Sequence, residues 1–243
     1  MPDLKKSSGF RYVTDTKFER ETLGSRPRPH IKSGATFKRF PEAETIILPR
    51  TLPKESDSLW DLLQRRRSRR RFSGKLISLQ ELASLLWAAQ GITAQAGMHF
   101  LRTSPSAGAL YPIETYVAAE RVDGVAKGIY HFNVAEFQLE QIRPSESIGK
   151  EVAHAALDQA FIATAAATFI WSAVFRRNMS KYGDRGGRYI FMDAAHICQN
   201  VLLAAEGLGL AACPVAAFYD NELNNLLNLD GDEESVLYLA VAG

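Results

Sequence analysis

Two segments with apolar residues at helical spacing begin with the same pattern, a serine followed three residues later by an acid. In the first, Ser58 and Asp61 open a leucine-rich stripe. In the second, Ser78 and Glu81 open a similar apolar stripe, and Gly91 follows the end of that segment. A serine hydroxyl at such a position can accept a hydrogen bond from a free backbone N–H of the first turn. Both segments are therefore predicted to be helices.

The longest helical pattern covers 188–208 and carries alanines along its surface, which permits close packing against another helix. At 1.5 Å per residue it would span about 31 Å, the diameter of a domain. Gly209 follows it, as glycine commonly follows a helix. A further helix is predicted over about 147–158, after Pro144, and Asp220 is predicted to cap a short one.

Strands are predicted where β-branched and aromatic residues concentrate between turn residues. These strands are 114–122, a hairpin of 128–133 with 137–142, the apolar run 167–175, and the segments 211–218 and 235–242. The stretch 92–104 lacks this pattern and is predicted to be a loop. Strands and helices are mixed without strict βαβ alternation, so the predicted fold class is α+β, a sheet covered by helices.

Residues 1–55 are polar, contain several prolines and glycines, and show no sustained periodicity. They also carry spaced aromatic residues, among them Phe10, Phe37 and Phe40, which a disordered tail would lack. We predict an N-terminal arm over 1–55 that lies along its own core or a partner subunit. A single domain is predicted over 56–243.

Composition narrows the class of protein. Of the 243 residues, 46% are hydrophobic and 23% are charged, and the formal net charge is +2. A protein whose main partner is nucleic acid would be more basic, and the longest apolar run, 160–175, is too short for a membrane span. No secretory signal is visible, and Cys198 and Cys213 lack metal or redox spacing. A cytoplasmic protein with buried thiols, no metal site and neither nucleic-acid nor membrane partners is expected.

Six arginines lie within the seven residues 65–71, interrupted only by Ser68, directly after the first predicted helix. Arginines packed this closely repel one another, so the fold must leave them in water or provide an anionic partner. Guanidinium groups can bind a phosphate bidentately, and the Ser68 hydroxyl can add a hydrogen bond. A solvated basic face, a nucleic-acid site and a small phosphate cofactor are the alternatives, and the small net charge favours the last over a polyanion.

Several segments, in this order, resemble the FMN-dependent nitroreductase superfamily: RRSRR, PSAGALYP, KYG, and a long helix ending in GLG before an apolar strand. The extended segments PSAGALYPIE, GIYHFN and KYGDRGGRYI resemble its SagB-type branch, flavin dehydrogenases that oxidise thiazolines and oxazolines to azoles. The resemblance covers the chain from about residue 58 to the C-terminus. It implies a nitroreductase-like fold with a central, mainly antiparallel sheet, bound FMN, and a homodimer with both active sites at the interface.

The resemblance also assigns cofactor-binding residues. The phosphate would be bound by Arg66, Arg67, Ser68 and Arg70, leaving Arg65, Arg69 and Arg71 as surface charge. The isoalloxazine ring would lie against Pro105, Ser106, Ala107 and Gly108 and beside Pro214, Val215, Ala216 and Ala217. Small side chains in the first of these loops let backbone N–H groups approach a flat ring. Two departures stand out: Ala109 replaces an Asn of simpler nitroreductases, and Ala216-Ala217 replaces a frequent Gly-Gly.

Lys181 and Tyr182 are the predicted catalytic pair, because an adjacent Lys-Tyr is implicated in the azoline-oxidising branch. That oxidation removes a proton from the ring while hydride leaves to the flavin. A neighbouring ammonium favours the tyrosine phenolate, which can accept this proton. The alternative is a surface loop pair without function. Asp184, Arg185 and Arg188 are predicted to hold the loop through ion pairs.

The resemblance thus predicts an FMN-dependent oxidoreductase that oxidises azolines on a small-molecule or peptide-borne substrate. A peptide substrate would require a separate cyclodehydratase partner, since the chain contains no such region. One alternative is an NAD(P)H-dependent reductase of nitro compounds or quinones. The other is a flavin-binding protein without turnover, which the missing Asn and glycines suggest.

Overall fold

The computed structural model describes residues 4–20, 29–53, 57–97 and 99–243. Its helices, in chain order, are α1 (Ser8–Asp15), α2 (Leu59–Arg65), α3 (Leu79–Gln90), α4 (Ile148–Ala155), α5 (Phe175–Tyr182), α6 (Gly186–Gly207) and α7 (Asp220–Leu226). Its strands are β1 (Thr45–Ile47), β2 (Ile92–Ala96), β3 (His99–Arg102), β4 (Ile113–Ala119), β5 (Gly128–Asn133), β6 (Gln138–Pro144), β7 (Ala167–Val174), β8 (Ala212–Val215) and β9 (Glu234–Ala242). A search of these residues for a membrane-spanning helix finds none of sufficient length and apolar character.

One seven-stranded sheet forms the centre of the described structure, in the order β1-β6-β5-β4-β7-β9-β8. Every neighbouring pair of its strands is antiparallel. In β4, Val117 faces the core formed with α3 and α6, whereas Tyr116 and Ala118 face the core formed with α4 and α7. Because both faces are covered, all seven residues of β4 are buried, Glu114 and Thr115 included, and the strand does not alternate between apolar and exposed polar positions. The predicted α+β class, with helices covering a mainly antiparallel sheet, is confirmed.

The two predicted serine caps are confirmed. The Ser58 hydroxyl accepts a hydrogen bond from Asp61 N–H at 3.2 Å, and the Ser78 hydroxyl accepts one from Glu81 N–H at 3.1 Å. The Glu81 carboxylate accepts a return bond from Ser78 N–H at 2.7 Å, which completes a capping box. The predicted long helix, the remaining strands and the 128–142 hairpin are also present, with ends that differ by a few residues. Cys198 and Cys213 are buried and free, as predicted.

Three predictions of local structure are wrong. Residues 92–96 and 99–102 form the hairpin β2–β3, whose sequence is poor in β-branched residues and therefore shows no strand pattern. Lys181 and Tyr182 end the short helix α5 instead of lying in a loop. Asp220 is the first residue of α7, and the cap position belongs to Tyr219, whose side chain makes no capping bond.

The N-terminal helix α1 packs beside the start of α6. Arg185 Nη1 donates to the Thr16 carbonyl at 2.6 Å, and Arg188 Nε donates to the Thr16 hydroxyl at 2.8 Å. Tyr12 Oη donates to the Asp184 carbonyl at 3.1 Å. In the part of the chain that the structure describes, Arg185 and Arg188 form no ion pair and instead donate to the C-terminal end of α1, where cations are favourable. The division at residue 55 stays a prediction, and 21–28 and 54–56 lie outside the described residues.

A network of charged side chains is buried where β4, β5, β6 and α5 meet. His131 bonds Glu114 through Nε2 and Glu140 through Nδ1, both at 2.9 Å, and Arg177 Nη1 contacts Glu114 at 2.6 Å. Burial alone would raise the pKa of Glu114, but Arg177 and His131 lower it to about 2. Burial opposes a charge on His131, yet the two carboxylates raise its pKa. The core is therefore held together in part by ionised groups.

Because of this network, the free energy of unfolding should fall both when the pH is lowered and when it is raised. The lowered pKa of Glu114 stabilises the fold above its unfolded value of 4.5, and this contribution is lost as pH falls towards about 2. The raised pKa of His131 stabilises the fold below its unfolded value of 6.5, and this contribution is lost as pH rises through the folded value. The free energy of unfolding, measured with urea across the acid and neutral range, should therefore be highest between pH 4.5 and pH 6.5, the unfolded pKa values of the two groups.

Two variants separate the contributions. Glu114→Gln should flatten the acid limb of the stability curve and His131→Gln the alkaline limb. The control Glu136→Gln, at an exposed surface ion pair, should leave both limbs intact. Unchanged limbs in the two network variants would contradict this account of the core.

Candidate functional site

The small-residue loop and the predicted catalytic pair touch one another. Gly108 has φ +65°, and a Cβ placed there would lie 2.6 Å from Tyr182 Oη and 2.8 Å from Lys181 Nζ. Both polar atoms thus point at the same backbone position, which only glycine fits without displacement. The structure brings residues 105–108 together with Lys181 and Tyr182, although 73 residues separate Gly108 from Lys181 in the sequence.

Asp193, on α6, fixes the shape of this loop. Its Oδ2 accepts a hydrogen bond from the Ser106 hydroxyl at 2.5 Å, and its Oδ1 accepts one from Ala107 N–H at 3.4 Å. Ser106 Oγ in turn accepts a bond from Tyr111 N–H at 2.9 Å. The Asp193 residue is 4% exposed, and this burial raises its pKa. Sequence reasoning missed Asp193, although an acid on the inward side of an apolar helix was a usable signal.

The helix that carries the pair is held by Arg177, one turn before Lys181. Arg177 Nη1 donates to the Tyr111 carbonyl at 3.0 Å, and its Nε donates to the Ala35 carbonyl at 2.7 Å. The ring of Tyr182 packs edge-on against Tyr189 with centroids 4.9 Å apart. Lys181 Nζ lies 5.4 Å from the centroid of the Tyr182 ring. The pair therefore stands on a braced helix next to the loop, with Tyr182 half-buried and Lys181 exposed.

The arginine cluster divides into two kinds of residue. Arg65 pairs with Asp57, and Arg69 pairs with Glu206 at 2.5 Å. Among the described residues, no carboxylate lies within 4.0 Å of the other four arginines of the cluster. These four are Arg66, Arg67, Arg70 and Arg71. Within the described ranges the cations assigned to the phosphate therefore have no acid partner, and the donor set fits a phosphate, which accepts forked hydrogen bonds from guanidinium groups.

This cluster runs beside β8, the edge strand that contains Pro214 and Val215. Arg69 N–H donates to the Ala212 carbonyl at 2.8 Å. Burial raises the pKa of the Cys213 thiol, whereas the charge of Arg70 and a hydrogen bond with Ser68 oppose the rise. Ala216 and Ala217 follow the strand and are exposed. The structure therefore groups Arg66, Arg67, Ser68 and Arg70 with Pro214, Val215, Ala216 and Ala217.

The two groups do not meet within one chain. The loop at Ser106 is bonded to Asp193, whereas the arginine segment is bonded to Glu206. These positions are about 20 Å apart along the axis of α6. Within the described ranges, no group of three or more His, Cys, Asp or Glu side chains is placed to hold a metal ion. A cationic cradle, formed by Arg66, Arg67, Ser68 and Arg70, therefore lies near one end of α6, and the Lys181-Tyr182 pair lies near the other.

Comparison with known proteins identifies the family. The profile of the Nitroreductase family matches residues 63–243, which include both groups of site residues. The chain belongs to the nitroreductase family. It is therefore an oxidoreductase by family, and nitroreductases typically bind a flavin.

Two curated relatives extend the comparison. A Methanocaldococcus jannaschii protein assigned to the nitroreductases is 42% identical over 175 residues, covering 72% of this chain and 86% of that protein. The trifolitoxin-processing protein TfxB of Rhizobium leguminosarum bv. trifolii is 31% identical over 145 residues, covering 58% of this chain. The match spans 39% of the length of TfxB.

Solved structures show the same nitroreductase fold. A nitroreductase-family protein from Anabaena variabilis superposes with a TM-score of 0.72 at 28% identity, covering 88% of this chain and 45% of that chain. A chain of the Escherichia coli microcin synthetase McbBCD complex, with truncated pro-MccB17 bound, superposes with a TM-score of 0.62 at 22% identity. The latter match covers 83% of this chain and 78% of that chain. The predicted nitroreductase-like fold is confirmed.

Proposed function

We propose that this nitroreductase is an FMN-dependent dehydrogenase that oxidises azoline rings to azoles. The observation that carries the proposal is the convergence of Lys181 Nζ and Tyr182 Oη on Gly108. A base at this position would stand beside a loop suited to a flat ring. The similarity to TfxB, a toxin-processing protein, and to a chain of a microcin synthetase supports the same branch.

Arg66, Arg67, Ser68 and Arg70 would hold the FMN phosphate, because their charges lack acid partners in the described structure. Residues 105–108 and 214–217 would contact the ring. Asp193 would keep the first of these loops in place through Ser106 and Ala107. When bound, the flavin supplies an acceptor for the hydride that leaves the azoline.

The protein's own residues would handle the proton. Oxidising an azoline to an azole removes two hydrogens, one as hydride and one as a proton. Tyr182, as phenolate, would accept that proton from a ring carbon, and the Lys181 ammonium would stabilise the phenolate. The ring contact with Tyr189 and the bonds of Arg177 would hold Tyr182 at the distance that proton transfer needs.

The proposal includes a homodimer. The two groups of site residues attach to α6 about 20 Å apart, so one cofactor would be enclosed by the cradle of one chain and the loop of another. Large apolar side chains are exposed on α2 and α6 at Trp60 (77%), Phe191 (57%) and Met192 (54%). Exposed apolar residues of this size mark an interaction surface. A second copy that covers α6 would complete both sites.

Breaking this interface should also remove the cofactor. Phe191→Glu is expected to give a folded monomer with weakened FMN binding, because a charge is placed at the covered apolar surface. Sedimentation velocity at micromolar concentration, with bound flavin measured in parallel, tests this. Ile47→Glu is the matched control, since Ile47 is 78% exposed on the edge strand β1 at the far end of the sheet. A monomeric wild type that retains flavin would contradict the dimer.

Gly108 offers a second test of the site geometry. Gly108→Ala should displace the Lys-Tyr pair and lower substrate-driven flavin reduction about tenfold, because small displacements of reacting groups are costly. Gly209→Ala is the control, since Gly209 also has positive φ, +71°, but has no atom within 4 Å of an added Cβ. Both changes carry the same backbone penalty, so equal activities would show that contact with the pair is unimportant.

The substrate can be a small molecule or a peptide carrying the ring. A chain with this fold is part of the McbBCD complex, so we propose a separate cyclodehydratase partner when the substrate is a peptide. Copurification with a candidate cyclodehydratase, and azole formation only when both are present, would support this partner.

A second candidate is an NAD(P)H-dependent reductase of nitro compounds or quinones. The 42% identity to a Methanocaldococcus jannaschii protein assigned to the nitroreductases favours it. The two functions are separated by the reductant: an azoline reduces the enzyme in one case and NAD(P)H in the other. A purified protein that releases FMN on denaturation fits both, and a colourless protein that takes up no flavin fits neither.

A further inference from the structure

A cavity of about 180 Å³ lies between the N-terminal segment 33–37, the β2–β3 hairpin and residues 109–111. The last of these directly follow Gly108, so the cavity shares a wall with the loop of the proposed active site. Ligand pockets for drug-sized molecules are larger, about 300–1,000 Å³. This one has the size for a small ligand or one end of a larger one.

Arg102 is the unusual residue in its wall. It is 8% exposed, its Nη1 donates to the Gln90 carboxamide, and its Nε has no hydrogen-bond partner. The guanidinium carbon lies over two aromatic rings, 4.3 Å from the centroid of Tyr111 and 5.4 Å from that of Phe37. No carboxylate of the described residues lies within 4.0 Å of it. A buried cation without an anionic partner is unfavourable unless a ligand supplies one.

A second buried arginine lines the same cavity. Arg177 is 3% exposed and pairs with Glu114, which also bonds His131. Glu114 is thus already engaged by Arg177 and His131 and does not serve as a contacting counterion for Arg102. Burial lowers the pKa of Arg102 to about 10, as expected for a cation that lacks a counterion in contact. An anion in the cavity would supply that counterion.

We propose that this cavity binds one carboxylate group of a small anionic ligand. Guanidinium groups bind carboxylates through forked, charge-assisted hydrogen bonds, and Arg102 lines the cavity without a carboxylate partner among the described residues. The walls of Phe37 and Tyr111 would exclude water and strengthen the attraction. The carboxylate is either a free metabolite or part of the substrate, and the second assignment rests on the proposed function.

Binding is tested first without turnover, using acetate and its neutral isostere acetamide. Acetate should raise the melting temperature of the holoprotein in proportion to its concentration, whereas acetamide should not. Calorimetry should show affinity for acetate falling about tenfold or more in Arg102→Gln, since bonds to charged groups are lost. Thr36→Trp, at an exposed position in the cavity wall, should block the cavity and have the same effect if Arg102→Gln does not fold.

The control is Arg143→Gln, which removes the same charge at a surface ion pair with Glu151. Its acetate response should equal that of the wild type. A wild type without an acetate-specific response would overturn the proposal, as would equal responses in all variants.

The source of the carboxylate is tested with a thiazoline that bears a ring carboxylate and with its carboxamide. If the substrate supplies the group, KM should be about tenfold lower for the acid at similar kcat, and Arg102→Gln should remove the difference. Equal KM values with intact acetate binding assign the site to a free carboxylate. A protein that binds acetate but turns over neither thiazoline refutes the proposed function and leaves the anion site in place.

Discussion

Tyr182→Phe and Lys181→Ala should each abolish most substrate-driven flavin reduction while leaving flavin bound. General acid–base catalysis is worth roughly 10²–10⁴-fold, so azoline oxidation should fall by at least two orders of magnitude in either variant. Tyr182 Oη and Lys181 Nζ lie 2.6 Å and 2.8 Å from the same Cβ position at Gly108, so we expect the two side chains to act as a unit. The double variant should therefore be little worse than either single variant.

Two control variants test whether a loss of activity could come from a disturbed structure rather than from a lost catalytic group. Tyr189→Phe removes a hydroxyl from the ring packed against Tyr182 and should retain activity. Lys150→Ala removes an exposed lysine on α4 and should have no effect. All four proteins should still be reduced by dithionite, because that reaction needs no base. Near-wild-type azoline oxidation in Tyr182→Phe or Lys181→Ala would exclude the pair from catalysis.

Arg66→Ala combined with Arg70→Ala should yield folded protein that is largely free of FMN. Each arginine would contribute a charge-assisted hydrogen bond to the phosphate, and losing both should weaken binding by roughly two orders of magnitude or more. The cluster offers an internal control, Arg65→Ala combined with Arg69→Ala, which removes the same charge from the same segment. Because Arg65 and Arg69 already pair with Asp57 and Glu206, this control should lose stability but keep flavin.

Flavin titration monitored by fluorescence quenching measures both double variants. The account expects a large difference in FMN affinity between them. Equal losses would mean that the cluster attracts the phosphate only through its summed charge. Full retention of flavin in the Arg66 and Arg70 variant would remove these residues from the cofactor site.

The elements that could be predicted from sequence are those whose physical cause is local. The Ser78–Glu81 capping box and the apolar stripe of α3 lie within 13 residues, so the pattern contains the whole interaction. The central strands were predictable because burial on both faces requires apolar residues throughout. The β2–β3 hairpin was not, since its residues have weak strand preference and its pairing depends on the surrounding structure.

Some residues of the candidate site could likewise be predicted from the sequence, whereas others could not. Arg66, Ser68 and Gly108 stand in short motifs, so their chemistry was visible in the sequence. Asp193 stands in no such motif, and its role depends on Ser106 and Ala107, which are more than 80 residues away and are brought to it only by the fold. Its one signal in the sequence is an acid on the inward side of an apolar helix. Arg102, too, looked like an ordinary polar residue until the structure placed it in a buried wall.

We expect an azoline, acting as electron donor, to reduce the flavin bound by this protein. Anaerobic stopped-flow mixing of the FMN-loaded protein with a thiazoline measures this step directly, through the loss of flavin absorbance and the azole formed. We expect rapid bleaching with one azole formed per flavin reduced, and slow or absent bleaching in Tyr182→Phe. A flavin that stays oxidised with every thiazoline and oxazoline tested, yet is reduced rapidly by NAD(P)H, would contradict this expectation.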